Sequence, residues 1–260
     1  MASSLLTTIA WSLSDVSVLI KRNLIRYKRI PQLLFFSTVQ PVMFLLLFTF
    51  VFGGALQGVG EHYINFLLPG ILMQSALFGS LQTGVGLADD MTKGIIDRFR
   101  SLPMSRLAVL AGRTISDAIR NAFVVAVMLL VGALIGFRPE GGGAGVFLAA
   151  LIAVGFGFSF SWVSAAIGLA VRNAETAQVA GFVWVFPLVY ISSAYVPIHT
   201  LPAALRIVAT FSPITVTIDA IRSLTMGTAT FGGILAAVAW ILAISAVFMP
   251  LSVHLYKKAA

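Results

Sequence analysis

The sequence predicts an all-α polytopic membrane protein with six transmembrane helices, and three properties lead to this fold class. Of its 260 residues, 59% are hydrophobic and 10% are charged. The mean hydropathy is +0.99. Soluble domains are about 45–50% apolar and about 25% charged, so this composition excludes both a water-soluble enzyme and a disordered chain. Besides the composition and the hydropathy, the third property is a set of six stretches without Asp, Glu, Lys or Arg, each 17 to 34 residues long.

Each charge-free stretch can hold one spanning helix, because a helix needs about 20 mostly apolar residues to cross a bilayer. The predicted spans are residues 33–53, 63–87, 116–136, 147–169, 177–193 and 231–253, within a single domain over residues 1–260. Glycines recur in the second and fourth spans (Gly70, Gly79, Gly84 and Gly86; Gly155, Gly157 and Gly168). Small residues let helices approach closely, so we expect these faces to pack on protein. The alternative is that glycine is simply frequent in membrane helices.

The basic residues predict how the chain is threaded. If the N-terminus is cytoplasmic, 14 of the 17 Lys and Arg residues fall on the cytoplasmic side, and Arg138, Arg206 and Arg222 fall outside. Since Lys and Arg concentrate in cytoplasmic loops, both termini are predicted to be cytoplasmic. The formal net charge of +8 is then accounted for by threading and by anionic lipid, and no nucleic-acid partner is expected.

Residues 14–30 precede the first span and predict an amphipathic helix that lies in the membrane interface. Apolar residues recur at helical spacing, and basic residues fill most of the other positions. The basic residues are Lys21, Arg22, Arg26, Lys28 and Arg29. The helix would serve either as a lipid anchor or as a surface elbow that also contacts a cytoplasmic partner.

Residues 88–106 form a polar loop that carries large apolar side chains among charges of both signs. A cluster of exposed apolar side chains usually marks a contact surface, so this loop is interpreted as a docking element. Within it we expect a short helix at about residues 91–101, ended by Pro103. The alternative is a loop that lies against lipid.

Two further groups of charges have helical spacing. Arg113, Asp117 and Arg120 share one helix face, which favours a structural ion pair over the alternative of a buried proton relay. Asp219 and Arg222 are predicted to pair on the second of two short helices within residues 194–230. This segment, rich in proline, is predicted to be re-entrant on the outer side, because irregular backbone at membrane depth must be buried in protein or line a wet cavity.

The motifs of catalysis are missing. None of the five lysines follows a glycine, so there is no phosphate-binding loop. The three histidines lie far apart, and cysteine is absent. We therefore predict no catalytic and no metal-binding residues, and a transporter with this sequence would take its energy from another chain.

Three motifs resemble those of the type-2 ATP-binding-cassette (ABC) permeases, particularly their daunorubicin-resistance-like exporter branch. They are Tyr63-Ile-Asn-Phe-Leu-Leu-Pro-Gly-Ile-Leu72, Asp97-Arg-Phe-Arg-Ser-Leu-Pro-Met-Ser-Arg106 and Ser212-Pro-Ile-Thr-Val-Thr-Ile-Asp-Ala-Ile-Arg222. Their order and spacing over the whole chain make the resemblance specific. Ser212 departs from the asparagine frequent in relatives, which leaves the role of that position open.

The resemblance implies a bacterial cytoplasmic membrane protein with an interface helix, a coupling helix between spans two and three, and outer re-entrant helices. It implies two permease subunits, as a homodimer or heterodimer, and two copies of a cytoplasmic ATPase that bind ATP and magnesium. This chain itself would need no cofactor. The coupling residues would be Asp97, Arg98, Phe99, Arg100, Leu102 and Arg106.

The substrate path implied by the resemblance runs between the two permeases along spans one, two and five. Its candidate residues are Phe35, Phe44, Phe48, Trp184 and Tyr190. An aromatic lining suits hydrophobic or amphipathic cargo such as drugs or lipids, although these rings could also face lipid or pack between helices. The function alternatives are a polysaccharide or glycolipid exporter, an ion-coupled carrier acting alone, and a membrane scaffold.

Overall fold

The computed structural model describes residues 2–53, 63–100 and 106–258, and every regular element in these ranges is a helix. Side chains are not described for residues 2–14, Arg26, Leu33, Phe52, Asp97, Phe99, Arg100 and Arg106. The helices are α1 (Ala2–Arg29), α2 (Pro31–Leu47), α3 (Tyr63–Thr92), α4 (Ile95–Arg100), α5 (Arg106–Leu134), α6 (Gly142–Val171), α7 (Ala174–Tyr190), α8 (Ala203–Phe211), α9 (Pro213–Thr225) and α10 (Phe231–Lys258).

Helix α1 begins twelve residues before the predicted interface helix and packs along α5. Leu19 is buried there, and Asn23 Nδ2 donates to the carbonyl oxygen of Gly112 at 3.4 Å. Pro31 occupies the first turn of α2, where a missing N–H is tolerated, so the chain starts a new helix directly after Ile30. Lys21, Arg22, Lys28 and Arg29 are exposed, and the side chain of Arg26 lies outside the described part.

Helix α3 is the central helix of the bundle. Its buried residues extend along most of its length, and it packs against α2, α5, α6, α7 and α9. Where it crosses α6, a Cβ atom built on Gly84 would collide with the carbonyl oxygen of Ser164, and one on Gly168 would collide with that of Gly84. Gly70 meets the backbone of Ala194 in the same way. These glycines therefore pack on protein, as predicted, because only glycine permits backbones this close.

Within residues 2–53, 63–100 and 106–258, five helices are long and apolar enough to span a membrane: the segments Leu34–Val51, Tyr63–Thr92, Leu107–Leu134, Gly142–Val171 and Phe231–Lys258. The predicted fifth span, 177–193, corresponds to α7, which ends at Tyr190 and has 17 residues. At about 1.5 Å per residue, α7 is slightly shorter than a hydrocarbon core of about 30 Å. Helices α8 and α9 together are also apolar and long enough to form one membrane span, but they are bent by 71° relative to each other at Ser212.

Three predicted boundaries are corrected. The first span ends in a π-helical turn, Phe48–Phe52, after α2. The third begins ten residues earlier than predicted, because α5 starts at Arg106. The polar loop does not begin at residue 88, since α3 continues to Thr92 and the short helix α4 covers only Ile95–Arg100. Polar residues at the end of a helix show no apolar periodicity, so the sequence does not distinguish them from loop residues.

Candidate functional site

The short helix α4 contains most of the predicted coupling residues. Ile96 is buried and belongs to one apolar cluster with Leu87 of α3, Leu110 of α5 and Tyr256 of α10, and α4 packs against α3. Arg98 is exposed. Of the other predicted coupling residues, Leu102 lies outside the described residues, and so do the side chains of Asp97, Phe99, Arg100 and Arg106. Among the side chains of α4 that the structure describes, the buried Ile96 thus joins this short helix to the bundle.

Asp117 lies at the centre of a buried charge cluster between α1, α3 and α5. Its Oδ2 is 3.5 Å from Arg113 Nε, and its Oδ1 is 3.8 Å from Arg120 Nε. Arg113 also lies 3.6 Å from Asp90 of α3. The predicted trio therefore forms an ion-pair network, about three turns inside α5 rather than at its start, because the helix begins earlier than predicted.

Two hydroxyl groups complete the hydrogen bonding of Asp117. Tyr27 of α1 donates to Oδ1 at 2.7 Å, and Thr83 of α3 donates to Oδ2 at 2.6 Å. Burial, together with the Asp117 carboxylate, raises the pKa of Tyr27 above its ordinary value, so its hydroxyl stays a donor. Both partners come from distant parts of the sequence, and spacing along α5 could not have indicated them.

A cavity with polar and apolar lining residues lies beside this cluster. The larger part, which we name the vestibule, has a volume of about 520 Å³ and is bounded by α1, α2, α3 and α5 and by Ala174 at the start of α7. A smaller part of about 90 Å³, the cleft, is bounded by α2, α3 and α5. Both parts are lined by Ser37, Gln40, Gln82 and Arg120. Because they share these side chains, the vestibule and the cleft adjoin each other.

The cleft borders a continuous series of aromatic rings, which we name the aromatic arc. Successive ring centroids are 4.8–6.1 Å apart, within the range of favourable ring contacts. Its members, in order of contact, are Phe44, Phe48, Tyr195, Tyr190, Phe186 and Phe78. The first and the last of them line the cleft. The arc extends from the cleft to the segment after α7, at the end of the bundle opposite α4.

Three of the predicted path residues belong to this arc: Phe44, Phe48 and Tyr190. Phe35 does not, since its ring is 60% exposed and touches Phe36. Trp184 stacks on Phe160 of α6, with ring centroids 5.7 Å apart, and packs against the core instead. Aromatic residues on one helix point in several directions, so their presence in a span does not decide which of them meet.

Several residues of the site were not predicted. Gln74 accepts a hydrogen bond from the Tyr195 hydroxyl, and Gln40, Gln82 and Asn121 line the cleft. Amides within apolar spans are a sequence signal, because burying an unpaired amide is costly. The positions of charged residues alone do not reveal these amides.

At the end of the bundle opposite α4, Arg222 of α9 joins three segments. Its Nη1 lies 2.9 Å from Asp219, and Nη2 donates to the carbonyl oxygens of Phe66 at 3.1 Å and Ser193 at 2.8 Å. Its guanidinium also lies 3.8 Å from the centroid of the Phe66 ring.

Ser212 caps α9 by accepting a hydrogen bond from Ile214 N. Serine and asparagine are equally suited to that position, which explains how serine can stand there.

Comparison with known proteins agrees with this architecture. Residues 14–226 match the family model described as ABC-2 type transporter. The chain is 35% identical over 237 residues to the daunorubicin resistance ABC transporter permease protein DrrB1 of Streptomyces coeruleorubidus, covering 91% of this chain and 84% of the relative.

Two more distant relatives extend the comparison. The putative transport permease ycf38 of Cyanophora paradoxa is 29% identical, covering 82% of this chain and 74% of the relative. The probable doxorubicin resistance ABC transporter permease protein DrrC of Mycobacterium tuberculosis H37Rv is 24% identical, covering 86% and 81%. The family predicted from the three motifs is thereby confirmed. The chain belongs to the ABC-2 type transporter family, as a membrane-spanning permease subunit without an ATPase of its own.

Proposed function

We propose that this permease exports hydrophobic or amphipathic compounds, drugs or lipids among them, through the vestibule, the cleft and the aromatic arc. The observation that carries the proposal is that the cleft and the aromatic arc share residues: Phe44 and Phe78 belong to both. Polar groups beside stacked rings offer an amphipathic molecule contacts for both of its parts. The similarity to a daunorubicin resistance permease over 91% of the chain supports drug-like cargo.

Power would come from two cytoplasmic ATPase subunits, which bind ATP and magnesium and dock on α4. Arg98 on α4 is exposed, and Ile96 lies in one apolar cluster with residues of α3, α5 and α10. A movement of the docked ATPase would therefore be transmitted to spanning helices as a rigid-body displacement. In this proposal both termini and α4 would lie in the cytoplasm, α1 in the inner membrane interface, and the chain in a bacterial cytoplasmic membrane.

A second permease, identical or paralogous, would complete the path. Helix α2 exposes Phe35 and Phe36, the π-helical turn after it exposes Phe50, and α7 exposes Val183 and Phe186. Since Phe186 also belongs to the arc, a partner covering α7 would close the open side of the path. The bent pair α8–α9 would form the re-entrant outer segment above it, held by the contacts of Arg222.

The test is reconstitution of the chain with an ABC ATPase that co-purifies with it, in proteoliposomes that contain daunorubicin or a fluorescent phospholipid. We expect cargo-stimulated ATP hydrolysis and ATP-dependent movement of one of these compounds. Neither activity should occur with the permease or the ATPase alone. Stimulation only by a polysaccharide or glycolipid would support the alternative exporter, and cargo movement driven by an ion gradient without ATPase would overturn the proposal.

A further inference from the structure

Arg120 is the charged residue of the cleft. Among the described residues that line this space, it alone carries a formal charge, and its side chain is 6% exposed. Its Nη2 donates to the carbonyl oxygen of Gly79 at 2.8 Å. Its Nε is buried without a hydrogen-bond partner, since the nearest carboxylate oxygen, on Asp117, is 3.8 Å away. The guanidinium of this cleft-lining residue therefore retains one buried donor, Nε, without an acceptor.

Asp117 pairs with Arg120 as a charge but does not accept a hydrogen bond from its Nε. Its nearest oxygen is 3.8 Å from Arg120 Nε, whereas Arg113 Nε lies closer to the carboxylate, at 3.5 Å. A buried donor without an acceptor is costly, and a bound anion that brings its own acceptors removes that cost. An anion in the cleft would supply the acceptor that Arg120 Nε lacks.

The rest of the cleft limits what that acceptor can be. A volume of about 90 Å³ admits a few waters or a small polar group, but not a whole drug molecule. Part of the lining is apolar or aromatic, formed by Pro41, Phe44, Phe78 and Val124. The amides of Gln40 and Gln82 line both the cleft and the vestibule.

We propose that the cleft binds the oxyanion end of an amphiphile, a carboxylate or a phosphate, with Arg120 as its charge partner and the apolar remainder against Phe44 and Phe78. The inference deepens the proposed export function and rests on it for the identification of the ligand as cargo. The same oxyanion chemistry is offered by an anionic phospholipid of the membrane, and the test below separates the two sources.

The test measures binding of dansyl-undecanoate to the full-length permease in nanodiscs of phosphatidylcholine. The matched probe is its carboxamide, which has the same ring and chain but no charge. We expect the carboxylate to bind about tenfold or more tightly than the carboxamide, the effect of one charge-assisted hydrogen bond in a buried site. Equal binding of the two probes overturns the proposal.

Two variants locate the effect. Arg120→Gln removes the charge, and it should abolish the preference for the carboxylate. Because that change also disturbs the buried ion pairs, Gln82→Glu provides a second variant, which keeps Arg120 and adds a competing carboxylate of nearly unchanged size. The matched controls are Arg172→Gln and Gln178→Glu at exposed positions outside the cleft, which should retain the preference. An unaltered preference in folded Gln82→Glu protein counts against the site.

Competition experiments show whether the oxyanion belongs to a lipid or to cargo. Comparing binding with transport then tests this inference independently of the export proposal. If phosphatidylglycerol in the nanodisc displaces the carboxylate probe, the oxyanion is supplied by lipid; if dodecyl phosphate displaces it and phosphatidylglycerol does not, it is supplied by cargo. Both results support an oxyanion site. Export of daunorubicin together with equal binding of the two probes would leave the export proposal standing and refute the site. Charge-selective binding without any ATP-driven transport would do the reverse.

Discussion

The hydroxyl of Tyr27 donates a 2.7 Å hydrogen bond to Oδ1 of Asp117, ninety residues further along the chain. This bond joins α1, which precedes the first span, to the interior of α5. Asp117 in turn bonds Thr83 of α3. One buried carboxylate thereby holds three helices together, and removing its partners should have measurable consequences.

The first prediction concerns this bond. Tyr27→Phe leaves Asp117 with one fewer donor, so we expect a loss of about 1–3 kcal/mol in the free energy of unfolding. Asp117→Asn should cost more, about 3–5 kcal/mol, because Arg113 and Arg120 would then be buried without a carboxylate. Denaturant titration of the detergent-solubilised chain measures both. The adjacent exposed change Lys28→Ala should stay within about 0.5 kcal/mol of the parent, and an equally small effect of Tyr27→Phe would contradict the assigned bond.

The second prediction concerns the crossing of α3 and α6. Gly168→Ala places a methyl group against the backbone of Gly84, which cannot move away cheaply, and should destabilise the chain by about 1–3 kcal/mol. Gly155→Ala makes the same substitution on the same helix, where the new atom would lie 3.6 Å from Ile241 Cδ1, an ordinary contact. It should be neutral or slightly stabilising, since alanine favours helix over glycine by about 1 kcal/mol. Thermal unfolding of the two variants side by side decides, and equal melting temperatures would speak against the close crossing.

The third prediction concerns Arg222. Arg222→Lys keeps the charge but cannot bridge Asp219, Phe66 and Ser193 at once, because an ammonium lacks the planar fork of the guanidinium. We expect a loss of about 1.5–3 kcal/mol. The control is Arg206→Lys, whose guanidinium donates only to exposed carbonyl groups of the neighbouring segment. If both variants unfold at the same temperature, Arg222 does not join the three segments.

The fourth prediction concerns docking of the ATPase. Arg98→Glu reverses a charge on exposed α4, so we expect it to weaken co-purification of the ATPase at least several-fold while membrane insertion stays intact. Arg100→Glu should act in the same direction. Arg172→Glu reverses the charge of another exposed arginine outside α4 and should leave association unchanged. Undiminished co-purification of the Arg98→Glu and Arg100→Glu variants would remove α4 from the interface.

The fifth prediction concerns threading. The chain contains no cysteine, so single cysteines can be introduced without a background. We expect His199→Cys to react with a membrane-impermeant maleimide on intact cells, whereas Lys28→Cys should react only after the membrane is opened. Both positions are exposed in the structure, so the difference reports on sidedness. The opposite labelling pattern would reverse the orientation of the whole permease.

Sequence alone predicted the helical membrane fold and the family. These properties are local or additive, because a run of apolar side chains determines a span and a motif is recognised from the order of its residues. The spacing of Arg113, Asp117 and Arg120 likewise sufficed to predict their pairing, because residues three and four apart meet on any helix.

Tertiary structure decided which residues meet between helices. The bonds of Asp117 to Tyr27 and Thr83, the contact of Gln74 with Tyr195 and the order of rings in the aromatic arc all depend on how each helix is rotated and which helices are neighbours. In lipid, apolar side chains are equally stable facing lipid or protein, so hydrophobicity cannot set those rotations. Close glycine contacts and buried polar groups set them instead, and this is why the cleft around Arg120 emerged only from the folded chain.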